Sequence, residues 1–203
     1  ERAAADFPRS DYRPAWLYWA GRAHDRVKES ALADERYMLA AADYMNSYYG
    51  RLALKRLDGR KPTPRVLGEP TSLLSPPPNE PVVRALLSVD RYEEALNELR
   101  YAQRAWGDSP AVQATIAYVY RRKGQTESNT SEQFNLLRGS INLMRRAYPQ
   151  FMAAGGENLP RDIQLHIFPI AYWDLIRKYS AQNNLDPYLI AALMAQESTF
   201  VPG

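Results

Sequence analysis

Apolar residues recur at intervals of three and four along most of the chain, which is the pattern of amphipathic helices. Residues 11–28 show this spacing through Trp16 and Trp19, and residues 33–49 repeat it, with Gly50 as the expected end of that helix. No strong run of alternating apolar and polar residues predicts a strand. The pattern therefore predicts an all-α fold.

Further helices are marked by their capping residues. An apolar-periodic run covers residues 91–106, and Ser109 followed by Pro110 is typical of the start of a second helix, which we expect to end at Gly124. Another helix is predicted over residues 131–147.

The stretch from residue 90 to residue 124 loosely resembles tetratricopeptide-type helical repeats in its length and in its alternation of small and aromatic residues. One helix pair cannot bury its own apolar face. We therefore expect stacked helix pairs that form a solenoid.

A proline-rich segment, residues 58–81, interrupts the helical pattern with seven prolines. Proline removes a backbone donor and biases the preceding residue away from helical geometry, so the segment is predicted to be an extended connector. A free linker would leave the apolar side chains of Leu67, Leu73 and Leu74 in contact with water. We therefore expect this connector to be ordered against the helices.

Composition narrows the classes of function. The net charge is +3 with basic and acidic residues interspersed, so no concentrated basic face indicates nucleic-acid binding. There is no cysteine, which excludes disulfides and thiolate metal sites. No stretch reaches the roughly 18 apolar residues of a membrane-spanning helix. His24 and His166 are far apart in sequence and lack a nearby carboxylate cluster, so neither a metal site nor a cofactor is predicted. The first residue is Glu, which allows for a leader that has been removed.

A single carboxylate stands out near the end of the chain. Asp186 and Pro187 are typical of a helix start, and a helix over residues 187–200 would be apolar almost all round. Its bulky face is predicted to contain Ile190, Leu193, Met194, Glu197 and Val201, and its opposite face Ala191, Ala192 and Ala195. Glu197 would then be desolvated and stay protonated, as a general acid requires. The alternatives are a solvated glutamate and a buried one paired with arginine.

Residues 168–200 resemble the start of the catalytic domain of soluble lytic transglycosylases. The matching elements, in order, are Phe168-Pro169, Tyr172, Leu185-Asp186-Pro187 and Gln196-Glu197-Ser198-Thr199-Phe200. Upstream, YYGRLALKRL (residues 48–57) and INLMRRAYP (residues 141–149) are similar to elements of the same family's helical superstructure. The resemblance covers most of the chain and is closest at its end.

The resemblance implies a goose-type lysozyme fold for the catalytic domain, and cleavage of the β-1,4 bond between N-acetylmuramic acid and N-acetylglucosamine in peptidoglycan. Glu197 would be the acid/base that yields a 1,6-anhydro product. Ser198 would support its geometry, or would simply bond to the preceding helical turn. The implied partners are glycan strands and other cell-wall proteins, without a cofactor or metal. The implied location is the periplasm.

The resemblance also divides the chain into helical repeats (1–57), the connector (58–81), further repeats (82–165) and the first part of a catalytic domain (166–203). The family's Ala-x-Ser and Gly-Leu-Met-Gln elements, which build the sugar cleft, are not among these residues. We therefore expect residues 1–203 alone to be inactive. The helix over residues 187–200 should then be frayed or covered by another chain, and Glu197 should be hydrated.

Two other functions are compatible with the sequence. One is a helical-repeat scaffold of the cell envelope without catalysis. The other is a goose-type lysozyme that uses water in place of the muramoyl 6-hydroxyl. Trp16 and Trp19 could stack on sugars, although their helical spacing is more typical of a core.

Overall fold

The computed structural model describes residues 1–8, 10–64, 75–198 and 200. Within these ranges the chain forms eleven α-helices and two short 3-10 helices, and no strand. The predicted all-α fold is confirmed. The chain divides into two compact units, one made from Glu1–Gly68 and Pro149–Leu159 and the other from Glu69–Tyr148 and Pro160–Gly203.

The first unit contains four α-helices and both 3-10 helices, and the second contains seven α-helices. In chain order the α-helices are α1 (Arg2–Asp6), α2 (Arg13–Arg26), α3 (Ser30–Tyr44), α4 (Tyr48–Arg56), α5 (Glu80–Ser88), α6 (Tyr92–Trp106), α7 (Pro110–Thr126), α8 (Thr130–Ala147), α9 (Arg161–Ile167), α10 (Trp173–Gln182) and α11 (Pro187–Ser198). The 3-10 helices are Pro149–Met152 and Gly156–Asn158.

The core of the first unit lies between α2, α3 and α4. Alanines of α3 and α4, such as Ala40 and Ala53, are fully buried, which lets the helices approach closely. Tyr37 fills the space that they leave, and its hydroxyl donates a hydrogen bond to Asp25 at 2.6 Å. Burial, together with this carboxylate, raises the pKa of Tyr37.

Residues 149–159 return to the first unit through backbone hydrogen bonds. The amide of Asn46 donates to the carbonyl of Met152, and the amide of Ala154 donates to the carbonyl of Ala42, both at 2.9 Å. These bonds satisfy polar groups at the end of α3 that the helix itself leaves unpaired. The sequence gives no sign of this return.

Gly50 does not end a helix, and the predicted single helix over residues 33–49 is two helices. The chain turns after α3, and Ser47 caps α4 by accepting a hydrogen bond from the amide of Gly50 at 3.0 Å. A Cβ at Gly50 would lie 1.6 Å from the carbonyl oxygen of Tyr44. The glycine is therefore required by the close approach of α4 to the end of α3.

The second unit has its core where α5, α6 and α7 meet, around Leu99 and Val119. Ser109 caps α7 as predicted, and its hydroxyl oxygen accepts a hydrogen bond from the amide of Val112. Gly124 does not end this helix, which continues to Thr126.

The predicted connector is described only at its two ends. Pro62 is buried, as expected of a segment that lies on the protein, and α5 already begins at Glu80. The positions that motivated the prediction of an ordered connector, Leu67, Leu73 and Leu74, lie outside the described residues.

Candidate functional site

The segment that resembles the transglycosylases folds as two packed helices, α10 and α11. Asp186 caps α11 as predicted, because its carboxylate accepts a hydrogen bond from the amide of Tyr188 at 2.8 Å. The rings of Trp173 and Tyr188 lie 5.2 Å apart and join the first turns of the two helices. The α11 helix extends from Pro187 to Ser198, and the expectation that it frays or is covered by another chain stays a prediction.

The predicted packing face of α11 is confirmed at Ile190 and Met194 and is wrong at Leu193 and Glu197. Ala191 is buried and Ala195 is partly buried, together with Ile190 and Met194, against the cluster that contains Ile176 of α10. Leu193, predicted to share their bulky face, is 50% exposed. Because α11 is apolar nearly all round, a helical projection cannot select the side that packs, and small alanines allow the closer approach. Val201 lies outside the described residues.

Glu197 lies in the last turn of α11 with its side chain exposed to solvent. Its carboxylate makes no hydrogen bond or ion pair with any described residue. The burial of Glu197 inferred from the helical projection is therefore not observed. Its exposure to solvent agrees with the expectation for residues 1–203 alone. The neighbouring Ser198 donates a hydrogen bond to the carbonyl of Met194 at 3.2 Å, which is the simple helix-end role considered for it. Thr199, which follows, is not among the described residues.

A groove of about 500 Å³ runs along α11. One wall is α8, with Arg138 and Arg145, and the other is α11, up to Gln196. The segment between α9 and α10, which contains Phe168, forms the floor. Glu197 follows Gln196 directly but does not line this groove.

The groove was not predicted from the sequence. Arg138 and Arg145 are seven residues apart, which places two positive charges on one side of a helix two turns apart. That spacing was a detectable signal. The spacing of the arginines could not reveal the facing wall, because α11 lies more than 40 positions later in the sequence.

The two histidines are not brought together. His24 lies in α2, where its ring nitrogens contact Glu29 at 2.6 Å and Glu1 at 2.8 Å. These carboxylates raise the pKa of His24. His166 is buried in α9, in the other unit. Among the described residues no group of three or more His, Asp or Glu side chains is arranged to hold a metal ion.

No family model, curated protein or solved structure matches this chain. In the part of the chain that the structure describes, every helix is too short or too polar to cross a membrane. Function is therefore inferred from the residues and their geometry.

Proposed function

We propose that this chain is part of a peptidoglycan lytic transglycosylase, in which Glu197 is the acid/base. The proposal rests on the resemblance of residues 168–200 to that family. The observation that supports it is the placement of Glu197, whose carboxylate is exposed at the end of an apolar helix without a partner among the described residues. Exposure makes this carboxylate accessible to a substrate, but a solvated surface glutamate has the same placement, so the order of residues around Glu197 carries the assignment.

The architecture is compatible with the same proposal. The α6 and α7 helices are joined by three residues, a connection typical of antiparallel helix pairs. We propose that such pairs stack as in tetratricopeptide-like solenoids, and that α10 and α11 begin a lysozyme-like catalytic domain. The exposed apolar side chains of these two helices, such as Leu175 and Leu189, suit a surface that further elements cover.

In this proposal Glu197 acts twice. Its protonated carboxyl group first donates a proton to the glycosidic oxygen while the bond from that oxygen to the muramoyl C1 breaks. The resulting carboxylate then takes the proton of the 6-hydroxyl, and the 6-oxygen bonds to C1. Both steps need the sugar within hydrogen-bond reach of the carboxyl group and with little competing water. An exposed Glu197 therefore requires a cleft built by additional residues.

The test compares three proteins, each carrying whatever residues its gene encodes after position 203. These are the wild type, Glu197→Gln, and the control Asp174→Asn, which removes an exposed carboxylate from α10 of the same hairpin. Each is incubated with purified sacculi, and soluble products are measured by mass spectrometry. We expect anhydro-muropeptides from the wild type and the control. Loss of general acid/base help should lower their release by ~10²–10⁴-fold in Glu197→Gln.

Other outcomes distinguish the alternatives. Products heavier by one water would indicate a goose-type hydrolase. Binding to sacculi without release would indicate a scaffold. Unchanged anhydro-muropeptide release by Glu197→Gln would contradict the assignment of the acid/base. Residues 1–203 alone are expected to release no products, because the elements that hold the sugars in the family are not among them.

A further inference from the structure

The groove between α8 and α11 carries positive charge on one wall. Arg138 stacks its guanidinium on the ring of Phe134 at 5.6 Å and makes no hydrogen bond to any described residue. A guanidinium has five donors in a fixed planar arrangement that matches carboxylates. Arg145 lies about 10 Å further along the same helix, calculated from the helical rise. Both arginine side chains line the groove.

No aspartate or glutamate lines the groove. Its remaining polar side chains are the amides of Asn142, on α8, and Gln196, on α11, and the phenol of Tyr188. Each amide offers both a donor and an acceptor, as does a peptide group. The groove is thus complementary to a ligand that is negatively charged and contains amides.

The apolar part of the groove is aliphatic. The wall on α11 consists of Ala191, Ala192 and Ala195, and Ile141 faces it from α8. Of the two aromatic rings at the groove, Phe168 contacts the guanidinium of Arg145 at 5.7 Å and Tyr188 packs on Trp173 at 5.2 Å, and both rings remain accessible to solvent. This aliphatic wall suits small alkyl side chains.

We propose that the α8–α11 groove binds an extended acidic peptide, whose carboxylates pair with Arg138 and Arg145 and whose small side chains pack on the alanines of α11. In a polyproline II conformation, residues three apart lie on the same side and are separated by about 9 Å, close to the rise of about 10 Å between the two arginine positions along α8. Acidic residues spaced by three are therefore the expected recognition pattern. This site is independent of the proposed cleavage of glycans.

The test uses the 203-residue protein and the capped peptide Glu-Ala-Ala-Glu. Binding is followed by isothermal titration calorimetry, and its location by the NMR shifts of the alanine methyl groups. We expect saturable binding that shifts Ala191, Ala192 and Ala195. Arg138→Gln and Arg145→Gln should each weaken it about fivefold, the loss of one exposed charge pair. The matched control Arg146→Gln removes an exposed charge from the same helix outside the groove and should not weaken it.

The peptide Gln-Ala-Ala-Gln should not bind measurably. Equal binding of this neutral peptide would overturn the proposal, and so would an equal loss of affinity in Arg146→Gln, which would indicate diffuse attraction to positive charge. Tighter binding of an oligogalacturonate than of the acidic peptide would also overturn it in favour of an acidic glycan. Dimerisation of the protein through the groove, with exclusion of the peptide, would overturn the proposal as well. Circular dichroism establishes that each variant is folded.

Discussion

Protonation of the buried His166 is expected to destabilise the second unit. His166 is 5% exposed, and its Nε2 lies 2.5 Å from the hydroxyl oxygen of Ser140 in α8. That hydroxyl donates its one hydrogen to the carbonyl of Ala117 in α7, at 2.8 Å. The hydroxyl must then accept from the imidazole, so the neutral ring with hydrogen on Nε2 fits this network. The network ties α7, α8 and α9 together.

The magnitude follows from the pKa of this histidine. Burial, and to a smaller extent the charge of Arg121, lowers the pKa of His166 from 6.5 to about 4. Between these pH values the unfolded chain binds a proton that the folded chain does not. The stabilisation that the neutral His166 contributes is therefore fully present above pH 6.5, and it is lost as the pH falls toward about 4. At 1.36 kcal/mol per pKa unit, the loss is about 3 kcal/mol.

The assay is urea denaturation of the wild type and of His166→Gln at several pH values between about 7.5 and 4. Glutamine does not titrate but keeps an N–H group for Ser140. Carboxylates elsewhere titrate in both proteins, so their effect cancels in the difference between the two free energies of unfolding. We expect the wild type to be more stable near neutral pH, and its advantage to shrink by about 3 kcal/mol at the acid end.

NMR provides a direct check, because the chain has only two histidines. Glu1 and Glu29 raise the pKa of His24, whereas burial lowers that of His166. The two imidazole resonances should therefore titrate on opposite sides of 6.5. A midpoint for His166 at or above 6.5, or a stability difference that does not change with pH, would refute the argument from burial.

Two substitutions test the packing of the helices. Gly50→Ala should cost more than about 2 kcal/mol, because its Cβ would clash with the carbonyl oxygen of Tyr44, while Gly139→Ala, whose Cβ would lie 3.3 Å from a ring, should stay within about 1 kcal/mol. Equal losses in thermal unfolding would show that the turn before α4 can yield. Ser109→Ala removes the cap that accepts from the amide of Val112 and should cost about 1 kcal/mol, whereas Ser109→Asn should restore most of it. A loss that asparagine does not recover would argue against a capping role.

Local signals predicted the helices well. Ser109 with Pro110 and Asp186 with Pro187 mark helix starts because capping depends on a side chain and its own next few amides. Glycine was less informative. Gly124 lies inside α7, where a Cβ would be 3.1 Å from Leu137 of α8. A glycine that permits close packing and a glycine that ends a helix look alike in sequence, and only the tertiary structure distinguishes them.

Long-range organisation was less accessible. The return of residues 149–159 to the first unit includes backbone hydrogen bonds that join Met152 to Asn46 and Ala154 to Ala42, more than 100 positions earlier. Backbone groups are the same at every position, so such pairing leaves no residue pattern to detect. The groove of the second unit is a similar case, because its two walls are distant in sequence.

For the candidate acid, the sequence pattern and the structure indicate different environments. Periodicity placed Glu197 among the bulky residues of α11, but the helix packs through Ile190, Ala191, Met194 and Ala195, and Glu197 faces solvent. Its proposed role therefore derives from the order of residues around it, not from its environment in these residues. A catalytic carboxyl group needs both its chemistry and a surrounding cleft. In the proposal, residues 1–203 supply the carboxyl group. The activity of Glu197 then depends on the residues that would cover α11 and complete the cleft.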